Sequence, residues 1–339
     1  RLRDTLIKGN EVWIGNTAQT LQALMLNAQN RPEDSVAMLE DQLAKTDQPA
    51  AADPAVPDPA AQAPVDSPET ISAQVMIVQT QIQAGKTAEA RAYLDAALLK
   101  NPKDKTLRLL SGNLDLARGK PDLAEATYRS LIAEDAAFEP AVPRLYGLLQ
   151  AAGRAAEATA VLDAGLAAQP KSGTLRWLKA GALEQSGQID AAIALYETLY
   201  AEDSSNTIVA NNLASLITAH RDDDASLARA EAIARRLREL EVPAFQDTYG
   251  WIAFRRGNLD EALSHLEPAA KGLPQDMLTQ YHLAMLYDKL GRSADAIRQF
   301  EAMLALAGNS TLPQVTEARA RLAALQTTLQ TGAPAPTTP

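Results

Sequence analysis

The chain has 339 residues, a formal net charge of −10 and no cysteine. The lack of cysteine excludes disulfides, thiol catalysis and thiolate-ligated zinc or iron–sulfur sites. Basic residues do not cluster, so the sequence offers no surface that would release counterions from a nucleic acid. Hydrophobic residues make up 46% of the chain and aromatic residues only 4%. Because alanine is abundant and is the best helix former, this composition predicts closely packed helices.

The first predicted element is a degenerate helical hairpin in residues 1–47. An Asn30-Arg31-Pro32 turn separates two apolar patterns, formed by Leu21, Leu24 and Met25 and by Val36, Leu39 and Leu43. Residues 48–68 are rich in proline and alanine and predict an extended linker. The chain opens at Arg1 and not at a methionine, so we expect any signal peptide or lipid anchor to have been removed with the missing start.

From residue 69 the sequence repeats with a period of 34 residues. Turn glycines keep this period except for one longer step before Gly257, and they are Gly85, Gly119, Gly153, Gly187, Gly257 and Gly291. Five residues after each glycine stands an alanine, and four residues further stands a large side chain, as in Ala124 and Tyr128. Glycine permits the positive φ of a tight turn. The small residue lets two helices touch, and the large residue fills the space between them.

This pattern resembles the tetratricopeptide-repeat (TPR) family over about residues 71–310. The resemblance implies an all-α fold, a right-handed superhelical solenoid of helix-turn-helix repeats with a C-terminal capping helix. We predict seven repeats in residues 69–310, a capping helix in residues 311–330 and a disordered tail in residues 331–339. The fifth repeat departs from the pattern, because Arg221 replaces the turn glycine and a run of three aspartates follows. We expect that longer acidic turn to protrude.

Motifs that could support catalysis fail on their spacing. Gly85-Lys86-Thr87 matches the end of a phosphate-binding loop, but Thr80 stands where the motif needs a glycine. The three histidines are not spaced as a metal-binding pair on one helix face. We therefore expect no enzyme, no cofactor and no metal site.

The TPR resemblance also implies where a partner binds, because the first helix of each repeat lines the concave groove in that family. Counting back from each turn position predicts the groove residues Asn211, Ser215, Asp247, Trp251, Phe254, Tyr281, Met285 and Asp288, with Trp177 and Asn113 at equivalent places. Rings beside amides and carboxylates suit a peptide, so we expect the main site in the last three repeats.

Some of these predicted groove residues carry further expectations. Tyr281 and Asn211 are expected to be exposed, whereas Trp251 and Phe254 are equally consistent with packing between repeats. Chaperone adaptors in the family grip a free carboxylate with lysine, but the matching positions, such as Val75, Leu109 and Pro143, are not basic. The acidic groove residues instead suggest a ligand with a basic group.

The leading functional hypothesis is a non-catalytic scaffold that binds a protein or peptide. Two segments are similar to ones in large exported bacterial TPR proteins and lipoproteins: Asn211-Asn212-Leu213-Ala214 and Tyr281-His282-Leu283-Ala284. This similarity implies a periplasmic or outer-membrane-associated role in polysaccharide export or secretion. The alternative is a cytosolic regulatory or chaperone-like adaptor. No run approaches the ~20 apolar residues of a membrane-spanning helix, and we expect no nucleic-acid partner.

Overall fold

A computed structural model of the chain describes residues 18–46 and 66–331. Regular structure in those two ranges is helical throughout, with no strand. The helices are α1 (Ala18–Ala28), α2 (Pro32–Thr46), α3 (Pro68–Gln83), α4 (Thr87–Lys100), α5 (Lys105–Ala117), α6 (Pro121–Glu134), α7 (Ala141–Ala151), α8 (Ala155–Ala168), α9 (Gly173–Gln185), α10 (Ile189–Glu202), α11 (Thr207–His220), α12 (Asp224–Ala234), α13 (Pro243–Arg255), α14 (Leu259–Gly272), α15 (Met277–Lys289), α16 (Ser293–Ala307) and α17 (Pro313–Thr331). The all-α prediction is confirmed.

The chain divides into two compact units, residues 1–175 and residues 176–339. From α1 to α16, odd-numbered helices are the first helices of the helical pairs and even-numbered helices are the second, and α17 follows the last pair. Most of the predicted linker and nearly all of the predicted C-terminal tail lie outside the described residues.

The turn between the two helices of a pair depends on glycine. The six periodic glycines have φ between 70° and 81°, and they are Gly85, Gly119, Gly153, Gly187, Gly257 and Gly291. In this left-handed region a side chain with a Cβ approaches the following carbonyl oxygen too closely. The sequence prediction of a left-handed turn at each of these positions is confirmed.

The alternation of small and large residues forms the core between paired helices. The periodic alanines, including Ala90 and Ala124, are fully buried, as are the large residues that follow them, including Leu94 and Tyr128. In α5, Gly112 packs so closely on the facing helix that a Cβ built there would lie 2.6 Å from Cε1 of Tyr128. The position is therefore limited to glycine because the tyrosine ring occupies the space that a methyl group would need.

The N-terminal hairpin of α1 and α2 is itself a repeat in phase with the others. Asn30 takes the turn position with φ of 59°, and asparagine tolerates this conformation. Ser35 and Leu39 follow at the small and large positions, and both are fully buried. Leu39 packs in one cluster with Met76 and Ile77 of α3. The hairpin therefore continues the stack of the first unit across the linker.

The first repeat after the linker begins earlier than the predicted boundary at residue 69. Ser67 caps α3 by accepting a hydrogen bond from the Thr70 amide at 3.2 Å, and Pro68 is the first helical residue. The Asp66 carboxylate accepts hydrogen bonds from Nε2 of Gln74 at 2.8 Å and Nδ2 of Asn101 at 2.6 Å. Residues 66–68, assigned to the linker from sequence, thus belong to the repeat.

The acidic turn of the fifth repeat has two local functions. Asp223 caps α12 by accepting a hydrogen bond from the Ser226 amide at 2.9 Å. Asp222 has a side chain 91% exposed and pairs with Arg255. The expectation of a longer turn is wrong: residues 221–223 form a three-residue turn, as in the other helical pairs, and the added length follows α12, where a 3₁₀ turn spans Arg235–Leu237.

The last helix, α17, packs against α15 and α16. Three residues of its apolar stripe, Val315, Ala318 and Leu325, are buried, whereas Leu329 is 59% exposed. The helix thereby covers the final helical pair of the second unit, which would otherwise expose its apolar side.

Candidate functional site

Three successive first helices of the first unit form one open groove. Together with the start of α9, helices α3, α5 and α7 enclose about 390 Å³. The lining recurs with the 34-residue period, because equivalent positions of each first helix face the same space. The lining residues are Ser72, Thr106, Pro140 and Thr174; Val75, Leu109 and Pro143; Met76, Leu110 and Arg144; Gln79 and Asn113; and Glu139.

The groove has an apolar floor and a polar rim. Met76, Leu109 and Leu110 are almost fully buried and form the floor. Half-buried hydroxyl groups and the exposed amide of Gln79 lie along the rim. Such a surface can hold an apolar side chain below and hydrogen-bond a peptide backbone above.

Asn113 is held in place by the core behind it. Its Oδ1 atom accepts a hydrogen bond of 2.8 Å from the hydroxyl of Tyr128, a fully buried residue. Burial raises the pKa of the Tyr128 hydroxyl to about 12, so this donor stays protonated at neutral pH. The fixed carbonyl leaves the Nδ2 group of Asn113 as a hydrogen-bond donor beside the groove.

Two charged side chains, Glu139 and Arg144, line the same groove. Within the described part of the chain, the exposed Arg144 forms no ion pair and no side-chain hydrogen bond. Arg144 is absent from the predicted groove residues because the basic clamp position of the family corresponds to Pro143, one residue earlier. The signal was available, since Met76 and Leu110 mark the same register position on α3 and α5.

The structure contradicts the predicted exposure of Tyr281. This residue is only 4% exposed, and its hydroxyl donates a hydrogen bond of 2.7 Å to Oε2 of Glu317 on α17. Met285 is likewise buried, at 8% exposure. Burial and the hydrogen bond to Glu317 raise the pKa of Tyr281 above its usual value. Both residues are wrong as groove residues, because α17 packs over α15 and both join the apolar cluster beneath it.

The other predicted groove residues of α13 and α15 have partners within the protein. The ring of Trp251 stacks on His282 at 4.1 Å and on Phe254 at 4.8 Å between ring centroids. Asp247 lies 2.9 Å from Nδ1 of His282. Asp288 pairs at 2.8 Å with Arg321 of α17. Because both aspartates already have partners within the protein, they do not indicate a ligand with a basic group.

Three predicted residues of the second unit remain partly or fully accessible. Trp177 on α9 is 37% exposed, and Ser215 on α11 is exposed. Asn211, expected to be exposed, is half-buried, and its Oδ1 atom is shielded from solvent and has no hydrogen-bond partner. None of the three lines the groove of the first unit, whereas Asn113 does.

Among the described residues, no group of three or more histidine or acidic side chains is arranged to hold a metal ion. The helices in the same two ranges include none that is both long enough and apolar enough to cross a bilayer.

Solved structures show which known fold this arrangement matches. The Cut9–Hcn1 hetero-tetramer of the APC/C aligns with a TM-score of 0.59 and 15% identity, over 95% of this chain and 58% of that one. Human IFIT1, solved as a dimer with m7Gppp-AAAA, aligns with a TM-score of 0.51 and 17% identity, over 90% and 72% of the two chains. The protein thus spans little more than half the length of the first of these. At such identities the likeness shows the fold alone.

Family comparison agrees with the fold. Two tetratricopeptide-repeat models match the sequence, one over residues 81–149 and 149–217 and the other over residues 248–311. These segments make up more than half of the chain. No curated protein matches it in sequence. Taken with the 34-residue period, the left-handed turn glycines and the stacked helical pairs, these matches show that the chain belongs to the tetratricopeptide-repeat family, whose repeat scaffolds are suited to protein–protein interaction.

Proposed function

We propose that the protein is a non-catalytic scaffold that binds an extended segment of a partner protein in the groove of α3, α5 and α7. The observation that carries this proposal is the continuous lining of that groove by equivalent positions of three successive helices. An extended peptide presents side chains and amides at regular intervals along its length. A periodic surface with an apolar floor and a hydrogen-bonding rim matches such a ligand better than a compact small molecule.

The groove of the first unit fits this role better than the predicted site in the last three repeats. Its rim residues Gln79 and Thr174 are exposed, and Arg144 has no ion-pair partner among the described residues. In α15, by contrast, Tyr281 and Met285 are buried. A partner that bound there would first have to displace α17.

Selection of a random-peptide phage library on the full chain tests the proposal. We expect the selected peptides to lose binding to Val75→Trp, because the indole fills the groove above the floor. Leu99→Trp is the matched control, since Leu99 lies on α4 and is 85% exposed outside the groove. Equal binding to Val75→Trp and wild type would place the peptide site elsewhere. If Val75→Trp does not fold, Thr174→Trp at the exposed rim replaces it.

We also propose that the partner is not a nucleic acid. The groove presents one guanidinium and one carboxylate, and the whole chain carries a net charge of −10. Neither feature provides the clustered cations that nucleic-acid binding uses. Fluorescence anisotropy with a 5′-capped oligoribonucleotide should show no binding at low salt. Binding that weakens steeply as salt is added would contradict this.

For the cellular setting, we propose an envelope assembly in a bacterium, such as one for polysaccharide export or secretion. The support is the similarity of the segments at Asn211–Ala214 and Tyr281–Ala284 to those of exported repeat proteins. Fractionation of native cells should place the protein in the periplasm or with the outer membrane. Recovery in the cytosol would favour the alternative, a regulatory or chaperone-like adaptor.

A further inference from the structure

The first unit contains two equivalent interfaces between neighbouring helical pairs, here called seams: one between α4 and α5 and one between α2 and α3. The pair α3–α4 packs on α5–α6, and the hairpin α1–α2 packs on α3–α4 in the same way. The left-handed turn residues Asn30 and Gly85 align the second helices α2 and α4. The 34-residue period aligns the first helices α3 and α5. Each position at one seam therefore has a counterpart at the other.

At the seam between α4 and α5, an arginine fills the space. Nη1 of Arg91 lies 2.9 Å from the hydroxyl of Ser111 and 3.7 Å from Oδ2 of Asp115. Its Nε atom donates a hydrogen bond of 3.0 Å to Asp95 on the same helix. Asp115 is only 7% exposed, so the guanidinium group supplies its charge partner inside the seam.

At the seam between α2 and α3, two of the three acceptor positions keep an oxygen acceptor, whereas the arginine is absent and Ile77 stands at the place of Ser111. Val36 stands at the place of Arg91, Glu40 at the place of Asp95 and Gln81 at the place of Asp115. Gln81 is 7% exposed, and its Oε1 atom has no hydrogen-bond partner. A buried carbonyl oxygen without a donor costs free energy, so this position favours an added hydrogen-bond donor.

The shorter side chain of Val36 leaves a cavity of about 390 Å³, the seam pocket. Its lining residues are Pro32, Glu33, Val36, Ala37, Glu40, Thr80, Gln81, Ala84, Lys86 and Glu89. These include three carboxylates and one ammonium group, and Lys86 is already bonded to Glu33 at 2.8 Å. Within the described residues, Glu40 has no ion-pair partner. The pocket thus retains negative charge beside an unpaired acceptor.

We infer that the seam pocket binds a guanidinium group, donated by an arginine of a partner protein, in the place that Arg91 fills one repeat further on. The guanidinium group bonds Oε1 of Gln81 and pairs with Glu40, while its aliphatic stem packs on Val36. The pocket shares no lining residue with the groove of α3, α5 and α7. This inference therefore does not depend on the function proposed for the groove.

Titration of the full chain with N-acetyl-arginine amide, followed by NMR of the Gln81 side-chain amide, tests the pocket. We expect a saturable shift at Gln81, and at least about tenfold weaker binding of N-acetyl-lysine amide, which lacks the planar fork. In the variant Val36→Arg the protein's own guanidinium group fills the pocket, so binding of N-acetyl-arginine amide should also weaken about tenfold or more. No saturable shift at Gln81, or equal binding of the lysine probe, would overturn the inference.

Further variants keep the test decisive if Val36→Arg does not fold. Glu40→Gln removes an exposed carboxylate of the pocket and should weaken the arginine probe, whereas Asp122→Asn, outside the pocket, should not. Equal effects would contradict the assignment. The double variant Arg1→Gln, Arg3→Gln distinguishes the source of the group. Unchanged probe binding supports an arginine from a partner, and tighter binding would show that the chain's own arginines occupy the pocket.

Discussion

The first helices of the two units carry equivalent positions at the same spacing, but those positions have different surroundings. On α5 and α7 they hold Leu109, Asn113 and Pro143, and they border an open groove. On α13 and α15 they hold Trp251 and Tyr281, whose rings pack within the protein. Position in the repeat therefore does not decide whether a residue is available to a partner.

Two physical differences account for the contrast. Large rings on α13 and α15 reach each other across neighbouring first helices, as in the stack of Trp251 on His282. In addition, α17 packs on α15, and Glu317 and Arg321 bond to side chains that would otherwise face solvent. In the first unit the positions of Trp251 and Tyr281 hold smaller side chains, such as Asn113 and Leu109, so space remains between them. Four predictions test this contrast, in order of expected effect.

The largest effect should follow Tyr281→Ala. Truncating this buried ring leaves a cavity below α17 and should reduce the free energy of unfolding by about 3–5 kcal/mol. Urea titration followed by circular dichroism measures the loss. Trp177→Ala is the control in the same unit, because Trp177 is 37% exposed. Similar losses in the two variants would mean that α17 does not bury Tyr281.

Alkaline pH should destabilise the first unit through Tyr128. Burial raises its folded-state pKa to about 12, above the unfolded value of about 10. Its contribution is therefore complete below pH 10 and is lost as the pH rises through 12, by about 3 kcal/mol. Unfolding measured across this pH range should show a shallower decline in Tyr128→Phe than in wild type. An unchanged slope would contradict the role of this hydroxyl.

Two glycine variants compare the packed face with the groove face. Gly112→Ala should cost about 1–3 kcal/mol, because the new Cβ would lie 2.6 Å from the ring of Tyr128. Gly147 lies on α7 with nothing within 4 Å of a built Cβ. Gly147→Ala should therefore stabilise the chain by about 0.5–1 kcal/mol through helix propensity. Thermal unfolding of each variant shows whether its stability falls or rises. A change in the same direction in both variants would contradict the difference between the packed face and the groove face.

The smallest effect should come from the ion pair that holds α17 to α15. Arg321→Ala removes the partner of Asp288 and should cost about 0.5–1 kcal/mol, since both groups are partly exposed. Hydrogen exchange in α15 should become faster. Arg319→Ala, an exposed position on the same helix, should leave that exchange unchanged. Equal exchange in both variants would show that the pair does not anchor α17.

Much of the fold could be predicted from the sequence because its determinants are local. A turn with positive φ needs glycine or asparagine, and a close helix contact needs a small side chain. The hairpin at Asn30 obeys the same rules, with Ser35 and Leu39 in phase, but a pattern defined by glycine at the turn does not include it. A search that admitted asparagine at the turn would have found this repeat.

The candidate site was predicted less well for a different reason. The spacing rule selected helix faces that border the groove, since Val75, Leu109 and Pro143 all line it. It could not rank those faces by accessibility. The preference for aromatic residues then pointed to Tyr281, which the structure buries.

The sequence by itself determined the period, the turns, the pairing of helices and the positions that alternate between core and groove. These depend on backbone conformation and on neighbours at fixed spacing along the chain. Only the tertiary structure decided which surfaces are open. Whether a side chain faces solvent depends on the size of residues one period away, on the packing of α17 over α15, and on the replacement of Arg91 by Val36 at the first seam. Those contacts join residues that are far apart in the sequence, so a pattern of neighbouring residues does not predict them.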